Sequence, residues 1–232
     1  MSDDLRTETV KTAEMVYVWD MPTRLFHWLL LVAVTTSLIS AETGYMSIHV
    51  ISGHVVLALV LFRLVWGIVG GRYARFANFV KGPARVFAYA KKLIGGSPAQ
   101  QPGHNPMGGW SVLAMIGLLA LQVGTGLFSN DDILTEGPLA PLVSNATSNF
   151  LTKIHALGST GLYVLIGLHL AAVAFYTVKG HPIIGAMITG KTPSEDLKEQ
   201  DAPTVVNVRG SGIVAVCIII IAAAVAYAIK TY

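Results

Sequence analysis

The chain has 232 residues, of which 53% are apolar and only 12% are charged, whereas about 25% of the residues in a typical soluble domain are charged. This composition predicts an integral membrane protein, and the net charge of +3 comes largely from a few loops, so it gives no support to nucleic-acid binding. The single cysteine, Cys217, excludes an internal disulfide, a cysteine-ligated iron–sulfur cluster and covalent attachment of c-type haem.

Five apolar runs are each close to the roughly 20 residues that a membrane-spanning helix needs, although the first is short. They cover residues 25–39, 48–69, 110–128, 154–178 and 213–229. Pro22, just before the first run, suits the opening turn of a helix. The sequence therefore predicts an all-α membrane protein with five spanning helices in one membrane domain.

Basic residues are distributed unevenly between the connecting loops. The connection between the second and third runs holds six basic residues, whereas the next connection holds three acidic residues and no basic residue before Lys153. Basic loops favour the cytoplasmic side of a membrane. The first of these connections is therefore predicted to be cytoplasmic, with the amino terminus also cytoplasmic and the carboxyl terminus external.

Two histidines on the fourth run, His155 and His169, are fourteen residues apart. On a helix this spacing leaves their side chains about 40° apart in direction and about 21 Å apart along the axis. In antiparallel helices, His27 lies at the depth of His169 on the inner side, and His49 lies at the depth of His155 on the outer side. Imidazole is a common axial ligand of haem iron, and buried ionisable residues in membranes are usually functional. Two stacked haem sites, each with two histidine ligands, are the simplest interpretation.

His54 competes with His49 for the outer site, because both lie near the start of the second helix. Five residues apart, they point about 140° away from each other, so only one can face the fourth helix. Gly53 follows His49 on the same face, where the missing side chain would let a flat macrocycle lie against the backbone; His54 has Ala58 in that position. This favours His49 as the ligand and His54 as a polar contact between helices.

Histidines in spanning helices can also have a purely structural role, take part in proton transport or bind a bare metal ion. A single histidine often only hydrogen-bonds a neighbouring helix, for about 1 kcal/mol or less, although four histidines matched in depth fit that role poorly. A proton relay or transporter usually includes acidic residues, and the five apolar runs contain no Asp or Glu. A metal ion without haem needs ligands within about 2 Å, so His155 and His169 are too far apart to share one.

Two arginines lie on the faces of candidate ligands near the inner side. Arg63 follows His49 by fourteen residues, and Arg24 precedes His27 by three. A buried guanidinium needs an anion, which haem propionates would provide. The alternative for both arginines is that they extend to the lipid headgroups.

The loop before the third run has its own pattern. His104, Asn105 and Pro106 form a predicted turn, and Gly108 and Gly109 lead to Trp110, a typical aromatic membrane anchor. A purely structural role accounts for the Pro, Gly and Trp residues adequately. The same loop would border the inner haem or a quinone.

Several short stretches of the sequence match one known family. No single stretch is specific to that family, but the combination is. They are WDMPTRLFHW at 19–28, IHVISG at 48–53 leading to FRLVWG at 62–67, RYARF at 72–76, GHNP and GGW within 103–110, and the histidines at 155 and 169. Together, from about Trp19 to Lys191, they resemble the bacterial cytochrome b-561 and nickel–iron hydrogenase cytochrome b family.

The resemblance implies a four-helix bundle that binds two haem b groups through His27, His49, His155 and His169. It departs at His54, where relatives often carry an aromatic residue. The predicted organisation is a polar cytoplasmic arm at 1–18, the di-haem domain at 19–191, a linker at 192–208 and an additional membrane helix at 209–232. The fifth helix has no candidate haem ligand, and its polar, proline-bearing linker suits a separately placed helix that packs or docks a partner.

The predicted function is electron transfer across the bacterial inner membrane, with the carboxyl terminus in the periplasm. Electrons would pass between the quinone pool and an external redox partner, which the resemblance implies to be either hydrogenase-like or a c-type cytochrome. Two histidine ligands leave no open iron position, so the haems would pass electrons rather than bind oxygen. The alternatives are a quinone-linked superoxide oxidase and an accessory or scaffold subunit of a respiratory or photosynthetic membrane complex.

Overall fold

The computed structural model describes residues 15–96, 103–131, 133, 135–193 and 208–231. Most of the predicted arm at 1–18 and of the predicted linker at 192–208 lies outside these described residues. The elements in chain order are β1 (Met15–Tyr17), α1 (Met21–Glu42), α2 (Met46–Val69), α3 (Phe76–Phe79), α4 (Pro83–Ile94), α5 (Pro106–Gly126), a short 3₁₀ helix (Ala140–Leu142), α6 (Asn145–Val178), α7 (Ile183–Thr189), β2 (Lys191–Pro193) and α8 (Val208–Thr231).

Five helices in the described part of the chain, α1, α2, α5, α6 and α8, are long and apolar enough to cross a membrane. This confirms the five predicted spans. α1 is longer than its apolar run because the Asp20 side chain caps it, accepting a hydrogen bond of 2.8 Å from the Thr23 N–H, and Pro22 lies in its opening turn. At its far end α1 continues to Glu42, so the helix includes a carboxylate that the apolar run leaves out.

α6 is the longest of these helices and holds two of the candidate ligands. Its 34 residues extend about 51 Å at 1.5 Å per residue, well beyond a hydrocarbon core of about 30 Å. The Ser144 hydroxyl caps its start by accepting the Thr147 N–H at 3.2 Å. His155 and His169 therefore both lie inside one continuous, rigid helix.

α2 is the central helix of the bundle. It packs against α1, α5 and α8, while α6 packs against α5. Trp66 of α2 is completely buried in the main apolar cluster. On the outside of the bundle, Leu29, Leu170 and Ile221 are each more than half exposed. An apolar outer surface of this kind suits contact with lipid.

The composition of the linker suggested that α8 is placed separately from the bundle. In the structure α8 instead packs along α2. Ala215, Ala222 and Ala226 of α8 are buried in the main apolar cluster. Small residues allow helices in a membrane to approach closely, and the resulting van der Waals contacts hold them together. The alanine face of α8 therefore determines where this helix docks.

A small cap at the end of the bundle where α1 begins was not predicted from the sequence. β1 pairs antiparallel with β2, and Tyr17 lies opposite Lys191. The Val18 N–H donates a 2.8 Å hydrogen bond to the Gly190 carbonyl. Gly190 has a φ of 83°, and a side chain there would collide with the Trp19 carbonyl. The cap therefore ties the start of α1 to the segment that follows α6.

Candidate functional site

Four histidine side chains come together in two pairs. The ring centres of His27 on α1 and His169 on α6 are 6.4 Å apart, and those of His49 on α2 and His155 on α6 are 6.0 Å apart. We call the first the inner pair and the second the outer pair, after the orientation that the sequence predicts. These are the partners that depth matching predicted.

The spacing within each pair suits two imidazoles that share one metal ion. Metal–imidazole bonds are about 2 Å long and the nitrogen lies roughly 1.1 Å from the ring centre, so rings on opposite sides of an ion are about 6 Å apart. Among the described residues, no group of three or more His, Cys, Asp or Glu side chains could hold a metal ion. A haem iron needs only two ligands from the protein, because the macrocycle supplies the other four ligands. Two histidines per site would therefore suit haem.

Both rings of the outer pair are oriented by backbone carbonyls. His49 Nδ1 lies 2.9 Å from the Ser37 carbonyl oxygen on α1, and His155 Nδ1 lies 2.9 Å from the Gln122 carbonyl oxygen on α5. A carbonyl only accepts hydrogen bonds, so Nδ1 of each ring has the proton and Nε2 keeps its lone pair. Histidine ligands in metal sites are oriented in the same way.

Two glycines leave room around the outer pair. A Cβ at Gly126 on α5 would lie 2.9 Å from His155 Cε1, so glycine lets this ring occupy its position. A Cβ at Gly53 would meet no atom within 4 Å, so the face of α2 beside His49 borders open space. Gly126 was missed in the sequence because nothing there shows which residue of α5 faces His155.

His54 does not join the outer pair. Its Nδ1 donates to the Val50 carbonyl of the same helix at 2.7 Å, and its Nε2 is buried without a hydrogen-bond partner. His49 is the residue whose ring lies beside His155. The choice of His49 as the haem ligand stays a prediction.

Polar groups without partners concentrate around the inner pair. Among the described residues, seven buried side-chain nitrogen or oxygen atoms have no hydrogen-bond partner, and five of them belong to Thr23, Arg24, His27, Arg63 and His104. Each of these side chains can donate a hydrogen bond. The inner end is therefore rich in donors that suit an anionic group.

The two arginines at the inner end are held by the protein. Arg63 is only 2% exposed, and its guanidinium lies 4.7 Å from the Phe76 ring centre and 5.9 Å from the Phe79 ring centre. Arg24 donates through Nη1 to the Ile188 carbonyl of α7. Arg63 is therefore directed into the bundle, and the alternative that it extends to the headgroups is wrong.

Asp20 connects the helices that present His27 and Arg63. One of its carboxylate oxygens accepts from the Thr23 N–H at 2.8 Å and from Trp66 Nε1 at 3.4 Å, and the other accepts from the Gly71 N–H at 3.3 Å. It thereby links the start of α1 to the end of α2. Its position just before Pro22 is a helix-start signal that identifies the cap in the sequence, but not the link to α2.

His104 lies beside the inner pair, in the turn that precedes α5. Its ring centre is 4.7 Å from the ring centres of both Trp19 and Phe79. Burial, and next the positive charge of Arg63, lower the pKa of His104 to about 3. The imidazole is therefore neutral at ordinary pH and has one N–H to donate.

A lateral cleft of about 370 Å³ lies between α1 and α6. Leu38 and Ile166 are among its apolar lining residues, and the Tyr163 hydroxyl donates to the Glu42 carboxylate at 3.1 Å beside it. Leu38 follows Ser37, whose carbonyl orients His49. The sequence did not indicate the Glu42–Tyr163 contact because the first apolar run ends before Glu42.

Comparison with protein families gave one informative match. A family model described as prokaryotic cytochrome b561 matches residues 18–190, about three quarters of the chain. The matched segment contains α1, α2, α5 and α6 with all four paired histidines, and it ends before α8. Comparisons with curated proteins and with solved structures found no significant match. The chain therefore belongs to the prokaryotic cytochrome b561 family, whose members transfer electrons across the membrane through b-type haem.

Proposed function

We propose that the protein binds two b haems, one between the rings of each pair, and transfers electrons between the two sides of the membrane. The supporting observation is the pairing itself, with ring centres 6.4 and 6.0 Å apart at two depths of one bundle. When bound, haem held by two imidazoles supplies one-electron transfer and leaves no open position for oxygen. His27, His49, His155 and His169 are the proposed ligands.

The chain prepares the outer pair for this role. The carbonyls of Ser37 and Gln122 hold the two rings with Nε2 available as the donor atom. Gly126 makes room for the His155 ring, and the open space at Gly53 suits a flat macrocycle against α2. The ligands are thus held in place by helix backbone, which keeps the geometry rigid as the charge of the centre changes.

Two arginines lie on the helices that hold or adjoin the inner pair, Arg24 on α1 with His27 and Arg63 on α2. Arg63 Nη1 and Arg24 Nε are buried donors without partners. Haem propionates are carboxylates, which guanidinium groups bind strongly. We assign Arg63 and Arg24 to the binding of propionates of the inner haem.

The two pairs define a path along the membrane normal. The fourteen residues between His155 and His169 correspond to about 21 Å along α6, in a hydrocarbon core of about 30 Å. The positive-inside bias supports the proposed orientation, with the inner pair and the amino terminus on the cytoplasmic side and the carboxyl terminus in the periplasm.

A quinone and an external redox protein are the proposed partners. Leu168 and Leu170, on either side of His169, are 62% and 57% exposed, so the inner pair lies close to a surface that lipid covers. A lipid-soluble quinone can approach such a surface without leaving the bilayer. The external partner, hydrogenase-like or a c-type cytochrome, would then exchange electrons at the outer pair.

The purified protein is expected to contain about two non-covalent haems per chain. The measurement is haem quantitation by the pyridine haemochrome spectrum, together with protein determination. Acid–acetone should extract all the haem, because the single cysteine, Cys217, does not lie in a haem-attachment sequence. One haem per chain, or colour that stays on the polypeptide, would contradict the proposal.

His49→Ala is expected to lose the outer haem, whereas His54→Ala should keep it. His49 is the second-helix histidine that faces His155, and His54 is bonded to its own helix. Both substitutions remove one imidazole from α2, so each serves as the control for the other. Haem content and the reduced-minus-oxidised spectrum distinguish them, and loss of haem in His54→Ala alone would reverse the assignment.

A further inference from the structure

His104 is a partly buried residue whose Nδ1 atom is fully buried and has no hydrogen-bond partner. Its ring is enclosed by Trp19 and Phe79, each 4.7 Å away between ring centres, and its Nδ1 has no hydrogen-bond partner. An unpaired buried polar atom is unfavourable, so native proteins rarely keep one without a ligand or another reason.

The turn that carries His104 is fixed to the helix that carries His169. Gly103 has a φ of 79°, and Asn105 caps α5 by accepting the Gly108 N–H at 2.8 Å. Asn105 Nδ2 also donates to the Tyr176 hydroxyl at 3.0 Å. Tyr176 follows His169 by two helical turns on α6, so the two lie on the same face. His104 is therefore held at a defined position relative to the inner pair.

Arg63 and His104 belong to one pocket. Both lie against the Phe79 ring. The Arg63 guanidinium carbon is 5.9 Å from the centre of that ring, and the centre of the His104 ring is 4.7 Å from it. Arg63 Nη1, like His104 Nδ1, is buried and has no partner. The carboxylate of Asp20 accepts from Thr23, Trp66 and Gly71, and it acts on Arg63 through its charge.

A cation and an N–H donor that lie against the same Phe79 ring match the chemistry of a carboxylate, which accepts hydrogen bonds on both oxygens. We propose that His104 is a positioning residue of the inner site, and that its imidazole and the Arg63 guanidinium together bind a carboxylate of the cofactor held by His27 and His169. This inference rests on the proposed function, and it adds a residue that the sequence places only in a turn.

The test compares His104→Phe with the unaltered full-length protein, each reconstituted with haem b and with its dimethyl ester, which has no free carboxylate. Phenylalanine keeps the aromatic packing against Trp19 and Phe79. With haem b, His104→Phe is expected to release the inner haem to a haem-scavenging protein about tenfold faster, the effect of losing one hydrogen bond to a charged group. With the ester, the two proteins should release it at the same rate.

The outer haem and His54→Phe are the controls. Phenylalanine at His54 removes another imidazole that has a buried, unpartnered nitrogen, and it should leave the inner haem unchanged. His104→Gln, which keeps an N–H donor, should restore most of the retention. The inference is overturned if His104→Phe releases the inner haem at the original rate, if the difference persists with the ester, or if both haems are lost equally. Failure of the unaltered protein to bind haem at the inner pair would instead refute the proposed function, and this inference with it.

Discussion

Replacing His169 with alanine is expected to remove the inner haem and leave the outer haem in place, so that haem content falls from about two per chain to about one. The ring of His169 lies 6.4 Å from that of His27, and no described third His, Cys, Asp or Glu side chain could complete a metal site there. His27 alone cannot provide both axial ligands of a six-coordinate iron. The outer pair is fixed by carbonyls of α1 and α5, which this substitution does not touch.

His155→Ala is the matched control, because it removes an imidazole from the same helix fourteen residues away. It should delete the other spectral component, seen as the α-band and the ferric low-spin resonance that His169→Ala retains. The two spectra should add up to that of the unaltered protein. If each variant instead lost half of both components, the histidines would share a site or the fold would be disturbed as a whole.

The helices could be predicted from the sequence because membranes impose a simple length and polarity requirement. An apolar run of about 20 residues has few alternatives to a spanning helix. The ends of the helices were less predictable, since α1 continues past its apolar run to Glu42. The position of α8 depends on close packing of Ala215, Ala222 and Ala226. This packing could not be predicted from the linker sequence.

The partners of the histidines could be predicted from depth, because the rise per residue of a helix is constant. The groups around them could not. The carbonyls of Ser37 and Gln122 orient the outer pair. They are backbone groups that every residue has, so the residue types do not identify them. The role proposed for His104 depends on a turn that brings it against Phe79, the ring that Arg63 also faces. Contacts of this kind need the tertiary structure.

The charges around the two pairs differ, and this difference bears on the direction of electron flow. The inner pair has Arg63 and Arg24 close by, with unpartnered donors. The outer pair is held by neutral carbonyls, and Glu42 at the end of α1 is the charged group beside the nearby cleft. If each pair holds one haem b, as proposed, the two cofactors would bring the same carboxylates, and any difference in reduction potential would come from the protein. Positive charge favours the reduced state, so electrons should run downhill from the outer haem to the inner haem.

Arg63→Gln is therefore expected to lower the midpoint potential of the inner haem by tens of millivolts and to leave the outer haem unchanged. For a separation of roughly 10 Å and an effective dielectric constant of about 20, a unit charge contributes about 1.7 kcal/mol, or about 70 mV for a one-electron couple. This is an upper value, because Asp20 offsets part of the charge of Arg63. Potentiometric titration monitored by the α-bands gives both potentials, which the His169→Ala and His155→Ala spectra assign to their sites.

Arg63→Lys is the control, because it keeps a positive charge at the same buried position while removing the planar hydrogen-bonding fork. The potential of the inner haem should stay closer to the original value in Arg63→Lys than in Arg63→Gln, since the charge and not the fork sets the electrostatic contribution. Equal potentials in the two variants would show that the charge of Arg63 does not tune the inner site. An inner haem with a lower potential than the outer haem in the unaltered protein would reverse the expected direction, because electrons would then move downhill towards the outer pair.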